Sequence, residues 1–460
     1  MAEGQLILGV SGIRGIVGEG ITPAIVYRLV RAWADTVGSG AIVLGRDSRP
    51  SGQELQAAAR AALMEVNRTV YDVGIVPTPT LGRAVRVLQA GAGLQITASH
   101  NPPQWNGMKM FTARGRGLPP KEAGALVARL RGIIHNGDTN ASWLPTGKTV
   151  GASCEASSFS ERVLDDHVAA VLSCVAVEPI RRRGFRVLVD ANGGAGGPAA
   201  LRLLRALGCS TVPIHCETDG VFRHEPEPTP ASLQQVAPLV AQCACDVGFA
   251  LDSDADRLVL LDESGQCLSE EITLALAVEA RLRQGPGPVV VNLSTSLMVE
   301  ELCRRRGLTC YRTPVGEAHV VDGILAQAAV IGGEGNGGVI EPRVGLVRDP
   351  LVAMALILEL LAELQQPLSA LAASLPRFVM RKDKMSLPQF KWTELQARLL
   401  RLLTAPQLDQ RDGLYFRWPD RWIHIRPSNT EPVVRLIAES PTCSETDTLM
   451  QLAREALTTC

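Results

Sequence analysis

Aromatic side chains are scarce in this chain, 4% of its 460 residues, and neither sign of charge is in excess, the net charge being −1 at pH 7. Few aromatics beside abundant Ala, Leu, Val and Gly suit an α/β protein better than a β-sandwich. The even charge balance provides no basic field for nucleic acid and no acidic tail. The eleven cysteines include no CxxC pair and meet no histidines at zinc-ligand spacing, and the tightest pair, Cys243 and Cys245, sits in an apolar stretch that reads as core. Free thiols in such number suit a reducing cytosol. Long apolar runs are missing too. Leu351–Leu361 is about half a membrane span and has Glu359 and Glu363 near its end, so it reads as a buried helix; Met1–Val10 lacks a basic start. A soluble, cytoplasmic protein with no membrane or nucleic-acid partner is expected.

What is present is a repeated unit. Ala41–Gly45 reads as an apolar strand, followed by the polar loop Arg46–Gly52, a helix over Gln53–Val66 and a strand at Thr69–Val73. The order returns as Arg186–Asp190, the glycine loop Asn192–Gly197, helix Pro198–Leu207 and strand Ser210–Ile214. It returns again as Val289–Asn292, loop Ser294–Ser296, helix Leu297–Arg306 and strand Leu308–Arg312. Such strand–helix–strand units predict three similar α/β domains with mixed sheets. Asn136–Ser160, rich in Gly, Ser, Thr and Pro, reads as a linker. The expected division is 1–150, 151–257, 258–370 and 371–460. The last part lacks the repeat; a helix at Trp392–Leu403, strands at Leu414–Trp418, Trp422–Ile425 and Val433–Glu439, and a terminal helix make it a smaller α+β domain.

Four loops have the residues for chemistry. In Thr97-Ala98-Ser99-His100-Asn101-Pro102, a serine stands at the carboxyl end of a strand, where open α/β sheets place ligands. His100 adjoins it and Lys109 follows, while Arg14 lies in the glycine-rich Gly12–Gly15; a serine that accepts and returns phosphate needs such cationic and proton-transferring neighbours. In Asp252-Ser253-Asp254-Ala255-Asp256-Arg257, alternate carboxylates can converge on one hard cation, with Arg257 balancing their charge. A solvated acidic turn is the plain alternative. An EF-hand fails because Arg257 stands at the required glycine, and a dehalogenase-type phosphatase would make Asp252 a nucleophile. Gly332–Gly338 lacks the context of a dinucleotide loop and reads either as a flexible hairpin or as backbone brought close to a ligand, with Glu334 and Asn336 bonding sugar hydroxyls. Arg426-Pro427-Ser428-Asn429-Thr430-Glu431-Pro432 gathers a guanidinium, hydroxyls and an amide, the composition of a phosphate grip or of a capped turn.

Together these loops resemble the α-D-phosphohexomutase family over essentially the whole chain. TASHNP is similar to its phosphoserine loop, DSDADR to its metal loop, GEGNGG to its sugar loop and RPSNTEP to its phosphate-binding loop, in the family's order. GRDSRPSG at Gly45–Gly52, VPTPT at Val76–Thr80, NGMK at Asn106–Lys109 and TPVGE at Thr313–Glu317 extend the match. The resemblance implies three alike α/β domains and a TATA-binding-protein-like α+β domain around a central cleft. It implies Mg²⁺ held by Asp252, Asp254, Asp256 and a phosphoryl oxygen on Ser99. It also implies interconversion of hexose 6-phosphate and hexose 1-phosphate through phosphoserine and a hexose 1,6-bisphosphate, by a monomer or homodimer. Two departures stand out: Arg223 where many members have proline, and Gly338 where many glucose, mannose and glucosamine enzymes have histidine. Glucosamine phosphate is the expected substrate, with glucose and mannose phosphates next; a sugar phosphatase and a non-catalytic sugar-phosphate sensor are the other readings. The resemblance leaves open whether His100 or Lys109 transfers the proton.

Overall fold

A computed structural model describes residues 6–9, 12–135, 156–386, 392–403, 407–427 and 433–458, arranged on four sheets. The first sheet contains β1 (Leu6–Gly9), β2 (Gly12–Ile16), β3 (Ile42–Arg46), β4 (Val70–Ile75), β5 (Ala92–Ile96) and β6 (Trp105–Thr112), in the order β1-β2-β6-β5-β3-β4. The second contains β7 (Arg186–Asp190), β8 (Ser210–Ile214), β9 (Val247–Leu251) and β10 (Leu258–Leu261), ordered β10-β9-β7-β8. The third contains β11 (Val289–Asn292), β12 (Cys310–Thr313), β13 (Ile331–Glu334) and β14 (Gly338–Ile340), ordered β12-β11-β13-β14.

One topology underlies all three. A central strand pairs in parallel with the strand that follows it and with the third, and the third turns back into an antiparallel fourth. Parallel neighbours need helical crossovers, which is why helices such as Gly52–Glu65, Gly197–Ala206 and Leu297–Arg305 recur after the central strand. The central strands β3, β7 and β11 read as unbroken apolar runs because both faces are covered. The hairpin from third to fourth strand is the site-bearing turn in every copy: residues 97–104 after β5, 252–257 after β9 and 335–337 after β13.

The fourth sheet is antiparallel throughout: β15 (Val379–Ser386), β16 (Gln407–Asp409), β17 (Leu414–Arg417), β18 (Trp422–Pro427) and β19 (Val433–Ser440), ordered β15-β19-β18-β17-β16. Its core packs under helices Trp392–Leu402 and Cys443–Thr458. The second and third units share one core around the buried helix Pro350–Leu364, and Leu293 and Leu297 meet Tyr415 and Trp422 where the third unit touches the fourth.

Some sequence expectations shift. Helix Ala156–Leu172 begins inside the stretch read as linker to Ser160. β10 pairs with β9, so the second sheet runs past residue 257 to Leu261. Strands β15 and β16 are not marked by the sequence pattern; β15 mixes half-buried with exposed residues, including Arg381, Lys382 and Asp383, without an apolar run. Among the described residues no single helix is long and apolar enough to cross a membrane.

Candidate active site

Ser99 is fully buried on a left-handed turn at φ 52°, a conformation uncommon for a residue with a Cβ. Several bonds hold it there. Its backbone N–H donates to Thr97 Oγ1 at 2.9 Å, and Thr97 donates onward to Asp47 at 2.6 Å. Its carbonyl accepts from Ser253 Oγ at 2.6 Å, which ties the serine loop to the acidic loop. Arg49, also fully buried, gathers the rest: its guanidinium donates to the carbonyls of Ser99, Asn101, Pro102 and Trp105 and pairs with Asp47. Arg49 belongs to the GRDSRPSG match, in which no local pattern marks its role. Arg49→Met is expected to destabilise the first sheet by about 3–5 kcal/mol, the cost of stranding a buried carboxylate, measured as faster amide hydrogen exchange in β3, β5 and β6.

The Ser99 hydroxyl donates to Asp252 Oδ2 at 3.1 Å and lies 3.3 Å from His100 Nδ1. Asp252, Asp254 and Asp256 are fully buried and point carboxylate oxygens within 4.8 Å of one another. Asp252 Oδ1 accepts from the backbone N–H groups of Asp256 and Arg257 at 3.0 and 3.1 Å. Asp254 Oδ2 accepts from Thr78 and Lys109, and Asp256 Oδ2 from Lys109 and Arg348. Asp254 Oδ1 and Asp256 Oδ1 are buried with no hydrogen-bond donor, and Arg257 Nε lies 3.9 Å from the latter. Buried carboxylate oxygens seldom go unpaired. Two orphaned oxygens, in a donor set of oxygen alone, fit a hard divalent cation such as Mg²⁺.

The charges answer one another. Burial, with Asp256 and Asp254 beside it, pushes the Asp252 carboxyl well above the usual carboxylate range. Burial acts the same way on Asp256, but Arg348, Lys109 and Arg257 outweigh it and hold that carboxyl well below the range. Burial alone would lower the Lys109 ammonium; Asp254 and Asp256 overcome it and raise the group. Burial, helped by Arg257 and Arg14, pushes the His100 imidazole well below its ordinary value. His100 is therefore neutral at pH 7 and Lys109 charged. Arg14 is lowered to about 10 by burial and stays charged; it donates to Asn101 Oδ1 at 2.8 Å.

His100, Lys109, Arg14 and Arg257 face a cleft of about 860 Å³ lined from all four units. The first unit supplies Arg14, His100 and Lys109, the second Arg257, the third Glu334 and Asn336, and the fourth Arg426. Arg257 donates to Glu227 at 3.1 Å. Glu334 closes β13; one oxygen accepts from Asn292 and Gly316 N–H, the other from Arg348. Asn336 Oδ1 accepts from Gly338 N–H within its own turn. Arg426 lies on β18 rather than in a loop, where Asp412 accepts from its Nε; Asp412 also accepts from Val315 N–H of the third unit. Ser428, Asn429 and Thr430 lie outside the described residues. Thr78 and Glu317 reach the site from VPTPT and TPVGE, matched in sequence without a role, whereas Arg348 sits in no matched motif.

The phosphoglucomutase/phosphomannomutase domain models match in order along the chain: alpha/beta/alpha domain I at residues 5–136, domain II at 165–265, domain III at 269–378 and the C-terminal domain at 394–456. The chain belongs to the α-D-phosphohexomutase family. A probable phosphoglucosamine mutase of Methanopyrus kandleri is 34% identical over 440 residues, 94% of this chain and 93% of that protein. A phosphoglucomutase/phosphomannomutase of Thermococcus kodakarensis is 34% identical over 443 residues, 94% of each. Among solved structures, a phosphoglucomutase/phosphomannomutase family protein of Burkholderia thailandensis superposes with TM-score 0.84 at 29% identity, covering 98% of this chain and 96% of its own. Membership in the phosphohexomutases supports a phosphohexomutase-type reaction in general, and the acidic triad supports metal-assisted catalysis within it.

Proposed function

We propose that this protein is a phosphoglucosamine mutase, interconverting glucosamine 6-phosphate and glucosamine 1-phosphate through a phosphoserine at Ser99. The observation that carries the reading is the Ser99 hydroxyl donating to Asp252, itself one of three converging buried carboxylates. A phosphoryl group on that oxygen stands beside the site for a cation. Asp252, Asp254 and Asp256 would hold Mg²⁺ with a phosphoryl oxygen, and the ion would offset charge on the transferring group.

The hexose hydroxyl attacks the phosphorus, the Ser99 Oγ–P bond breaks, and a hexose 1,6-bisphosphate forms. Neutral His100 takes the hydroxyl proton and hands it to the departing Ser99 Oγ, 3.3 Å from its Nδ1; Lys109, Arg14 and Arg257 carry positive charge toward the phosphoryl oxygens. After the bisphosphate turns over, Ser99 Oγ attacks the other phosphorus, and His100 takes the serine proton and passes it to the sugar oxygen whose bond to that phosphorus breaks. Glu334 and Asn336 line the cleft where sugar hydroxyls would bond. Arg426, with Ser428, Asn429 and Thr430, would hold the phosphate that is not reacting, at one remote place in both half-reactions. The last domain, an antiparallel sheet with two helices, is read as the TATA-binding-protein-like fold.

Glucosamine as the sugar rests on similarity to relatives named phosphoglucosamine mutase. A coupled assay across glucosamine, glucose, mannose and N-acetylglucosamine 6-phosphates, with catalytic bisphosphate and Mg²⁺, tests it. Glucosamine 6-phosphate is expected to have the highest kcat/KM; a tenfold preference for glucose or mannose phosphate would reassign the substrate and leave the chemistry.

A further inference from the structure

Arg348 belongs to none of the four loops and takes part in no step above. It directly precedes the buried helix Pro350–Leu364, whose cap is Asp349: that carboxylate accepts from Leu351 N–H at 2.9 Å, and the Asp349 N–H donates to Val339 O at 2.7 Å. The Arg348 N–H itself donates to Glu317 Oε2 at 3.1 Å, so the backbone from which the arginine side chain departs is fixed at that residue and at the next.

Its three guanidinium nitrogens go to three carboxylates on three separate segments. Nη2 donates to Asp256 Oδ2 at 2.6 Å, Nη1 to Glu334 Oε2 at 2.9 Å, and Nε to Glu317 Oε2 at 3.2 Å. One planar fork thus joins the metal loop, the sugar loop and the start of helix Glu317–Gln327. The aliphatic stem runs over Gly338. A Cβ there would lie 2.2 Å from Arg348 Cδ and 2.9 Å from Cγ. The Gly338 backbone is not left-handed, so the chain's own conformation does not require glycine at this position. The arginine stem does.

We propose that Arg348 is a positioning residue for sugar recognition: it fixes the Glu334 carboxylate in the cleft and joins it to Asp256, in the space a side chain at position 338 would need. With Asn292 and Gly316 on one oxygen and Arg348 on the other, Glu334 has a single orientation to offer a hydroxyl. What Glu334 binds rests on the mutase reading; the link between the loops does not.

Four variants of the full chain test it: Arg348→Ala, Arg348→Lys, Gly338→Ala and the double variant Gly338→Ala/Arg348→Ala. Arg348→Ala and Gly338→Ala are each expected to raise KM for glucosamine 6-phosphate at least ~10-fold, as for a lost charge-assisted bond, and to narrow discrimination against mannose 6-phosphate. The double variant should be no worse than either, because all three remove the same link. Arg348→Lys should keep the melting temperature yet not restore KM, since an ammonium cannot span three carboxylates. Hydrogen exchange gives a readout independent of turnover: amides of residues 252–257 should exchange faster in Arg348→Ala, with no further increase in the double variant. Should Gly338→Ala fail to fold, the double variant is expected to fold, the two closest contacts of the added Cβ, both with the Arg348 stem, having been removed. Wild-type KM in Arg348→Ala, additive effects, or a double variant that also fails to fold would overturn the proposal. Absence of turnover of every hexose phosphate by the wild-type protein would instead sink the mutase reading, and the exchange data would still decide the link.

Discussion

Ser99→Ala is expected to abolish turnover, by on the order of 10⁵-fold or more, because it removes the only atom proposed to carry the phosphoryl group between the two ends of the sugar. The wild-type protein as purified should have one phosphate on a fraction of molecules, mapped to Ser99 by intact-mass and peptide analysis, and the variant none. The fold should tolerate the change. The hydroxyl meets only the Asp252 and His100 side chains, while the left-handed backbone is held by Arg49, Thr97 and Ser253. The same variant separates a phosphatase that uses Asp252 as nucleophile. That carboxylate already accepts two backbone N–H groups and the serine hydroxyl. Undiminished hydrolysis by Ser99→Ala, or phosphate mapped to Asp252, would give the chemistry to the aspartate.

Asp254→Asn should lower kcat by on the order of 10³-fold, the rate equivalent of the several kcal/mol that a bound cation contributes to a phosphoryl transition state. Asp254 is the informative position because one of its oxygens is paired, to Thr78 and Lys109, while the other is buried without a donor. Asparagine can still accept from Thr78, so secondary structure by circular dichroism should be unchanged. The wild-type enzyme treated with EDTA should lose activity and recover it with Mg²⁺ or Mn²⁺, with Zn²⁺ a poor substitute for an oxygen-only donor set. Full activity after chelation would remove the metal from the mechanism.

The central strands of the three repeats stand out in sequence because they are buried on both faces and read as apolar runs. β7 and β11 occupy the residues expected for them, and β3 lies one residue further along than read. Strand β15 did not stand out, since its burial is partial and its partner β19 is more than forty residues away, a pairing that no local pattern encodes. The serine and the three aspartates were legible as candidates because each lies in a polar loop ending an apolar strand.

The sequence by itself determined the repeat, the loops that follow its third strands, the family, and the residue types available for phosphate and cation. Convergence was decided by the tertiary structure. Ser99 meets Asp252 across 153 residues, Lys109 bridges Asp254 and Asp256, and Arg348 reaches Asp256, Glu317 and Glu334. Loop chemistry is local, and a turn advertises its residues whatever lies opposite. Charge compensation inside a buried cleft is a three-dimensional property: which cation faces which carboxylate depends on how four sheets are set against one another, and only there do burial and neighbouring charge move His100 and Lys109 in opposite directions.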